Sequence, residues 1–215
     1  MFRTTLSGIS LSLLAACTNT TTAGGRMRSD LDSRLPAIHT AGLVSLDVKG
    51  YEVSVGGTVE RKEEWSTAAR ETIVTALVEG FKSRRIELRK LEPQPDTAEE
   101  MNDLRLLSEA VNSSMGFPGS GFDYSLGPVG HLLDRYQVDA LVFVWARGKL
   151  VSGVRKFLVG DADAGLVAIT LVDRSGDVLW YNAGGLHGER ADLRHADSTA
   201  SLLRAMIGDL PLAKP

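Results

Sequence analysis

The chain holds one cysteine, Cys17, in 215 residues, so an internal disulfide framework and every zinc pattern built on paired cysteines are excluded. Aromatics make up only 6%, and no segment reaches the ~18 consecutive apolar residues that span a bilayer as a helix. Charge of one sign is lacking too. The formal net charge is -3, and it becomes -4 if Arg3 is removed with a leader, which leaves no electrostatic footprint for nucleic acid. Four histidines stand at 39, 131, 187 and 195, with no HExxH spacing, so no zinc-hydrolase helix is encoded. No metal site and no cofactor are expected. What is present is an ordinary globular balance, 43% hydrophobic and 24% charged, enough to bury one core.

The cysteine itself sits in Leu14-Ala15-Ala16-Cys17, after an apolar run that begins at Leu6 and behind the single positive charge of Arg3. That order of regions is similar to a bacterial lipoprotein signal: an aliphatic residue, two small residues that fit a protease, then the thiol that accepts diacylglycerol. The resemblance implies that residues 1–16 are a signal peptide and that Cys17 is lipidated. It also implies a membrane as partner through that anchor. Thr18 stands where an aspartate implies inner-membrane retention, so the outer membrane, periplasmic side, is the expected location. Residues 17–41 are expected to carry the lipidated cysteine and a tether, because 18–30 (TNTTTAGGRMRSD) offers almost nothing to bury. Its root-mean-square reach is about 20 Å.

Residues 42–215 are expected to form one globular α/β domain. Residues 43–48 read as a first strand, and Tyr51, Val53, Val55 and Val59 as a further extended piece, with a turn at Gly56-Gly57. Between 63 and 82, Trp65, Ala69, Ile73, Ala76, Leu77 and Phe81 recur at helical spacing, with Glu63 and Glu64 in the first turn. Residues 85–89 alternate as a strand. Residues 97–115 give a second amphipathic helix with Met101, Leu104, Leu107, Val111 and Met115 on one side. A short helix follows Pro128. Residues 140–146 (ALVFVWA) are apolar on both faces and belong in the middle of a sheet. A polar excursion is read over 147–163. Residues 166–172 and 178–183 flank Asp173-Arg174-Ser175-Gly176-Asp177 as a hairpin, and Ser198 starts a last helix that stops at Pro211. The expected architecture is a mixed sheet of about five strands with helices packed on it.

Asp161-Ala162-Asp163 begins like a calcium loop, but Leu166 stands where glycine is needed and Val172 where glutamate is needed. The glycine-rich stretch 116–127 lacks the Gly-Lys-Ser/Thr ending of a phosphate loop, and Gly119-Ser120-Gly121 lacks the nucleophile-elbow pattern. No catalytic residue is assigned. The rival expectation is an envelope hydrolase that uses His187 or His195 with a nearby acid. Candidates for touching a partner are Phe117, Phe122 and Tyr124 in the glycine-rich loop, and Arg155, Lys156 and Phe157 in the polar excursion. The loop aromatics read either as a small cluster packed under the loop or as a surface.

Two segments carry a family resemblance. Residues 131–142 (HLLDRYQVDALV) run a helix into an Asp-Ala strand start, and 172–180 (VDRSGDVLW) make an Asp-turn-Gly hairpin that ends in Trp180. Together with the order of elements from 42 to 210, this resembles the compact α/β domain of envelope lipoproteins. That group includes the curli-secretion lipoprotein, the lipoprotein activators of peptidoglycan synthases, auxiliary lipoproteins of transport systems, and the amino-terminal domain of the Tol-Pal propeller protein. The resemblance implies a non-enzymatic docking or assembly subunit that works through sheet edges and loops. Its implied partners are envelope proteins and, for several such domains, further copies of the chain.

Overall fold

The computed structural model describes residues 20–22, 25–115 and 122–212. Its centre is the run anticipated as mid-sheet. Strand β6 (Ala140–Val151) lies between β3 (Thr40–Val53), to which it is parallel, and β7 (Ala164–Val172), to which it is antiparallel. Alternation divides its side chains: Ala140, Val142, Val144 and Ala146 enter one hydrophobic cluster, and Leu141 and Phe143 the other. β7 continues through the Asp173–Asp177 turn into β8 (Val178–His187), the hairpin expected from the turn residues.

The remaining strands extend the sheet to eight, more than the five or so anticipated. β4 (Val59–Lys62) pairs antiparallel with the far end of β3, and β5 (Glu87–Lys90) pairs parallel with its start. β1 (Thr20–Thr22) and β2 (Arg26–Met27) pair antiparallel with β8. This changes the account of the stretch expected to be a tether. From Thr20 onward much of it is hydrogen-bonded to the sheet, followed by helix α1 (Leu31–Arg34) and a 3-10 turn whose Leu31 and Leu35 are buried. A polar segment gains a sheet edge through its backbone, whatever its side chains are.

Helix α2 (Glu63–Ser83) and helix α6 (Ala196–Gly208) cover one face. Ile73, Leu77 and Phe81 of α2 and Leu202, Leu203 and Met206 of α6 are completely buried there. The two helices approach at Gly80, where a β-carbon would run into the Ile207 side chain. Helix α3 (Ala98–Met115) and helix α4 (Gly130–Tyr136) serve the other face. α3 is rotated slightly from the expected stripe: Ser108 is buried and Leu107 is exposed, and the buried Ser108 hydroxyl is satisfied by the Arg105 carbonyl at 2.8 Å.

The expected polar excursion at 147–163 is structured. β6 runs on to Val151, and Ser152 then caps a short helix α5 (Gly153–Val159) by accepting from the Arg155 N–H. Gly160 closes α5 in the left-handed conformation.

One carboxylate sets the parallel register. Asp139 Oδ2 accepts from the His39 N–H (2.9 Å), the Thr40 N–H (2.8 Å) and the Thr40 hydroxyl (2.9 Å), while the Asp139 N–H reaches the Thr40 carbonyl. Burial pushes this carboxyl up, but the hydrogen bonds from His39 and Thr40 outweigh it and hold the group below the usual range. A depressed native pKa contributes stability above the unfolded value, and that contribution is lost as pH falls through the native one. Asp139→Ala should therefore lose about 1–2 kcal/mol at neutral pH, given the solvent exposure of the site. The deficit should shrink below about pH 4. Urea midpoints at the two pH values test this, and equal deficits at both would contradict it.

Candidate functional site

Helix α3 crosses the sheet over β3 and β6 and leaves the adjoining part of β7 and β8 open on that face. The result is a trough of about 450 Å³. Its floor is Trp145, Ala168, Tyr181 and Ala183, brought side by side by strand register: Trp145 opposes Ala168, and Ala168 opposes Ala183. Glu109, Asn112 and Ser113 of α3 form one wall, and Leu166, 46% exposed, lies on the other side.

Arg147 organises the charged end. It lies on the same face of β6 as Trp145, two residues on, and its guanidinium stacks 4.4 Å from the Trp145 ring centroid. Its Nη2 meets Asp47 Oδ2 at 2.5 Å and lies 3.7 Å from Glu109, and its Nη1 donates to the Asp47 carbonyl. Burial raises the Asp47 carboxyl, and the hydrogen bonds and charges of Arg147 and Lys49 bring it below the ordinary value. Across the trough, burial pushes the Tyr181 phenol up, against a smaller opposing effect of Arg26. Thr170 donates to Asn112 Oδ1 at 3.3 Å, tying α3 to the floor. Such a surface can engage a ligand through shape, apolar contact and a few oriented charges.

The second feature is an apolar end formed by α5 and the adjoining β3–β4 turn. Phe157 is 89% exposed, and Leu158, Val159, Val154, Val55 and Val59 are each more than half exposed. These six are half of the twelve exposed large apolar residues among those described, so the clustering is not the scatter of an ordinary surface. No residue of α5 is buried. Ion pairs fasten the helix from behind: Lys156 Nζ to Asp163 at 2.5 Å, Arg155 Nε to Asp161 at 3.1 Å, and Lys149 to Asp161 at 2.9 Å. Hydrogen bonds from Lys149 and Arg155 hold the Asp161 carboxyl down to about 2. Buried Asp163 also accepts the Val151 N–H at 2.7 Å.

The residues singled out in the sequence are thus dispersed. Phe157 is at the apolar end, and Arg155 and Lys156 are engaged in the ion pairs beneath it. Phe122 and Tyr124 are half-buried, edge to face with centroids 6.4 Å apart, against the α3–α4 cluster, with Arg26 5.5 Å over Phe122. Cys17 and Phe117 lie outside the described residues. His187 is exposed at the end of β8. His195, also exposed, lies 3.9 Å from Asp192, whose carboxylate is occupied by the Arg194 fork at 2.6–3.0 Å. The trough is not legible in the sequence because its residues come from α3, β6, β7 and β8. Its one local signal is Trp145 and Arg147 sharing strand parity.

The class defined by this architecture is a single α/β domain, an open mixed sheet with helices on both faces. Against models of protein families the chain finds no match, and none among curated proteins. Among solved structures it is similar to the PelC dodecamer from Paraburkholderia phytofirmans, with a TM-score of 0.42 and 12% identity over 89% of this chain and 98% of that one. A substituted form of the same dodecamer gives 0.41 and 13% over the same shares. At those scores the likeness is one of general outline.

Proposed function

We propose that this chain is a lipid-anchored accessory or assembly lipoprotein of the outer membrane. It faces the periplasm, is acylated at Cys17, binds other envelope components of transport, secretion or cell-wall machinery, and has no catalysis of its own. The observation that carries the binding role is the trough. Its floor of Trp145 and Tyr181, with Arg147 at one end and a polar wall on α3, has the composition of an interface centre, where aromatic and arginine side chains supply most of the energy. Its open end and flanking Leu166 suit a protein segment better than a small enclosed substrate. The box at 14–17 supplies the address.

Two measurements test the reading. Cys17→Ser, or globomycin treatment, should block processing and release the protein from the membrane fraction; unchanged retention would remove the anchor from the account. Affinity isolation of the acylated protein from solubilised envelopes should recover a stoichiometric envelope partner. Leu166→Asp, which puts a charge beside the trough at a half-exposed position, should cut that recovery about tenfold or more without moving the melting temperature. A protein that is always recovered alone, and is monomeric by light scattering, would overturn the binding role.

A further inference from the structure

The apolar end has a fixed relation to the place where the anchor would enter. β1 is antiparallel to β8, with Thr20 opposite Leu186 and Thr22 opposite Gly184, so the chain arrives at the carboxyl end of β8. At that end His187 faces Ala164, and Ala164 faces Lys149, two residues before β6 ends and leads into α5. The β3–β4 turn is there as well, because Val53 pairs in parallel with Val151 and the Ser152 N–H reaches the Val53 carbonyl at 3.0 Å. Cys17 is three peptide units from Thr20, a span of at most about 11 Å. From β1 to β3 is four strand spacings, about 19 Å. The start of β1, within that reach of Cys17, and the six exposed apolar residues therefore belong to one end of the sheet, at opposite sides of it.

We infer that this end, α5 with Val55 of the β3–β4 turn and Val59 at the start of β4, is a membrane-contacting surface that inserts into the interface of the lipid leaflet holding the anchor. The inference rests on the lipid-anchor reading for its choice of occupant. Shape also favours lipid over a protein groove. α5 buries no side chain and projects Phe157 almost wholly into solvent, whereas protein anchors end in desolvated pockets. An apolar projection backed by cationic side chains fits the boundary between headgroups and acyl chains. Lys149, Arg155 and Lys156 lie behind it, paired with Asp161 and Asp163, and Lys62 pairs with Glu52 and Glu60 beside Val53 and Val59, so these charges balance and do not oppose anionic lipid. The acyl chains supply the attachment, and the second contact fixes the tilt. A domain held at two points about 20 Å apart cannot roll about a single anchor, and the trough keeps a set direction relative to the membrane plane.

Because the one native thiol is consumed by acylation, an introduced cysteine is the sole free thiol of the full protein. Phe157→Cys carrying an environment-sensitive dye is reconstituted in vesicles of phosphatidylethanolamine with a minority of phosphatidylglycerol. The same label is placed at Glu87→Cys, beside the start of β3 at the opposite end of the sheet. The dye at 157 should brighten about threefold or more and be quenched by nitroxide-labelled lipid, while the dye at 87 should respond to neither. In the soluble Cys17→Ser protein, Phe157→Ser combined with Leu158→Ser should lower partitioning to the same vesicles about tenfold. Acylation of Cys17 is read separately by palmitate labelling. An acylated protein whose dye at 157 stays as accessible to iodide as in solution overturns the membrane contact and leaves the anchor standing. Absence of palmitate label, together with a dye at 157 that still enters lipid in the Cys17→Ser background where 157 is the sole thiol, removes the anchor and upholds the contact. Brightening that needs an added envelope protein and not lipid also overturns the inference.

Discussion

Gly176→Val should lower the urea midpoint markedly, a loss of about 3–5 kcal/mol out of the 5–15 that domains possess. Gly176 closes the β7–β8 hairpin with a φ of +84°, where a β-branched residue costs at least about 1–2 kcal/mol. The larger part is steric. The segment before α4 runs against this turn: the Leu126 N–H donates to the Gly176 carbonyl at 2.8 Å, the Val178 N–H to the Tyr124 carbonyl at 2.9 Å, and Ser125 bridges Asp177. A β-carbon on residue 176 would fall on the Gly127 backbone. Backbone cannot move to another rotamer, so the loop or the turn must open, with loss of those hydrogen bonds and of packing around buried Leu126 and Val129. Gly176→Ala should show most of the same effect, because the first carbon already clashes. A melting temperature within a degree or two of the parent, where about 10 °C of loss is expected, would refute this account of the turn.

That turn also marks how far the sequence is legible. Asp173, Gly176 and Asp177 announce it because the chemistry is local: Asp173 Oδ1 accepts the Ser175 and Asp177 N–H groups at 3.0 and 3.1 Å, and glycine takes the required positive φ at no steric cost. The mid-sheet position of β6 is equally readable, since seven apolar residues in a row leave no face for solvent. The α2 stripe holds from Ala69 to Phe81, and only Trp65 departs, half-buried under the Arg194 guanidinium at 4.4 Å. The fold class follows from these elements. What stays hidden depends on pairing at a distance. Thr20–Thr22 joins β8 through backbone bonds that no side chain advertises. β6 continues past Ala146 because Arg147 and Lys149 find Asp47 and Asp161, partners 100 and 12 residues away, so polarity there reads as a loop although the strand persists. α5 is too short for its period to be resolved. Phe157 was visible as a candidate by its residue type, but its exposure and its place at the sheet end belong to the tertiary structure.

Arg34→Met is the second change expected to be large, about 2–3 kcal/mol at neutral pH. Arg34 Nη1 lies 2.6 Å from Asp173 and 2.8 Å from Asp177, and Nη2 lies 2.8 Å from Asp30. One guanidinium thus fastens α1 to the hairpin turn. The side chains of Arg34, Asp173 and Asp177 keep 30%, 15% and 19% of their exposure, which places the cluster between surface pairs worth under about 1 kcal/mol and buried pairs whose disruption costs about 3–5. Methionine retains the apolar stem and removes the cation, leaving Asp173 and Asp177 close together in one tight turn with Arg28, 3.6 Å from Asp177, as the nearest compensation. The sign with pH follows from the groups. The three carboxylates hold the Arg34 guanidinium above its already high value, so it stays charged across the accessible range. The Arg34 hydrogen bond, opposed by burial, holds the Asp177 carboxyl below its ordinary value, and its contribution is present above about pH 4 and lost as pH falls through the native value. The gap between parent and Arg34→Met should accordingly be widest near neutrality and narrow on acidification, as the parent weakens and the variant is relieved of repulsion. Arg34→Lys should recover only part of it, since one ammonium cannot fork to three carboxylates. A gap that stays constant from about pH 7 to about pH 3 would assign the loss to packing of the arginine stem and remove the charge cluster from the account of how the amino-terminal segment is held.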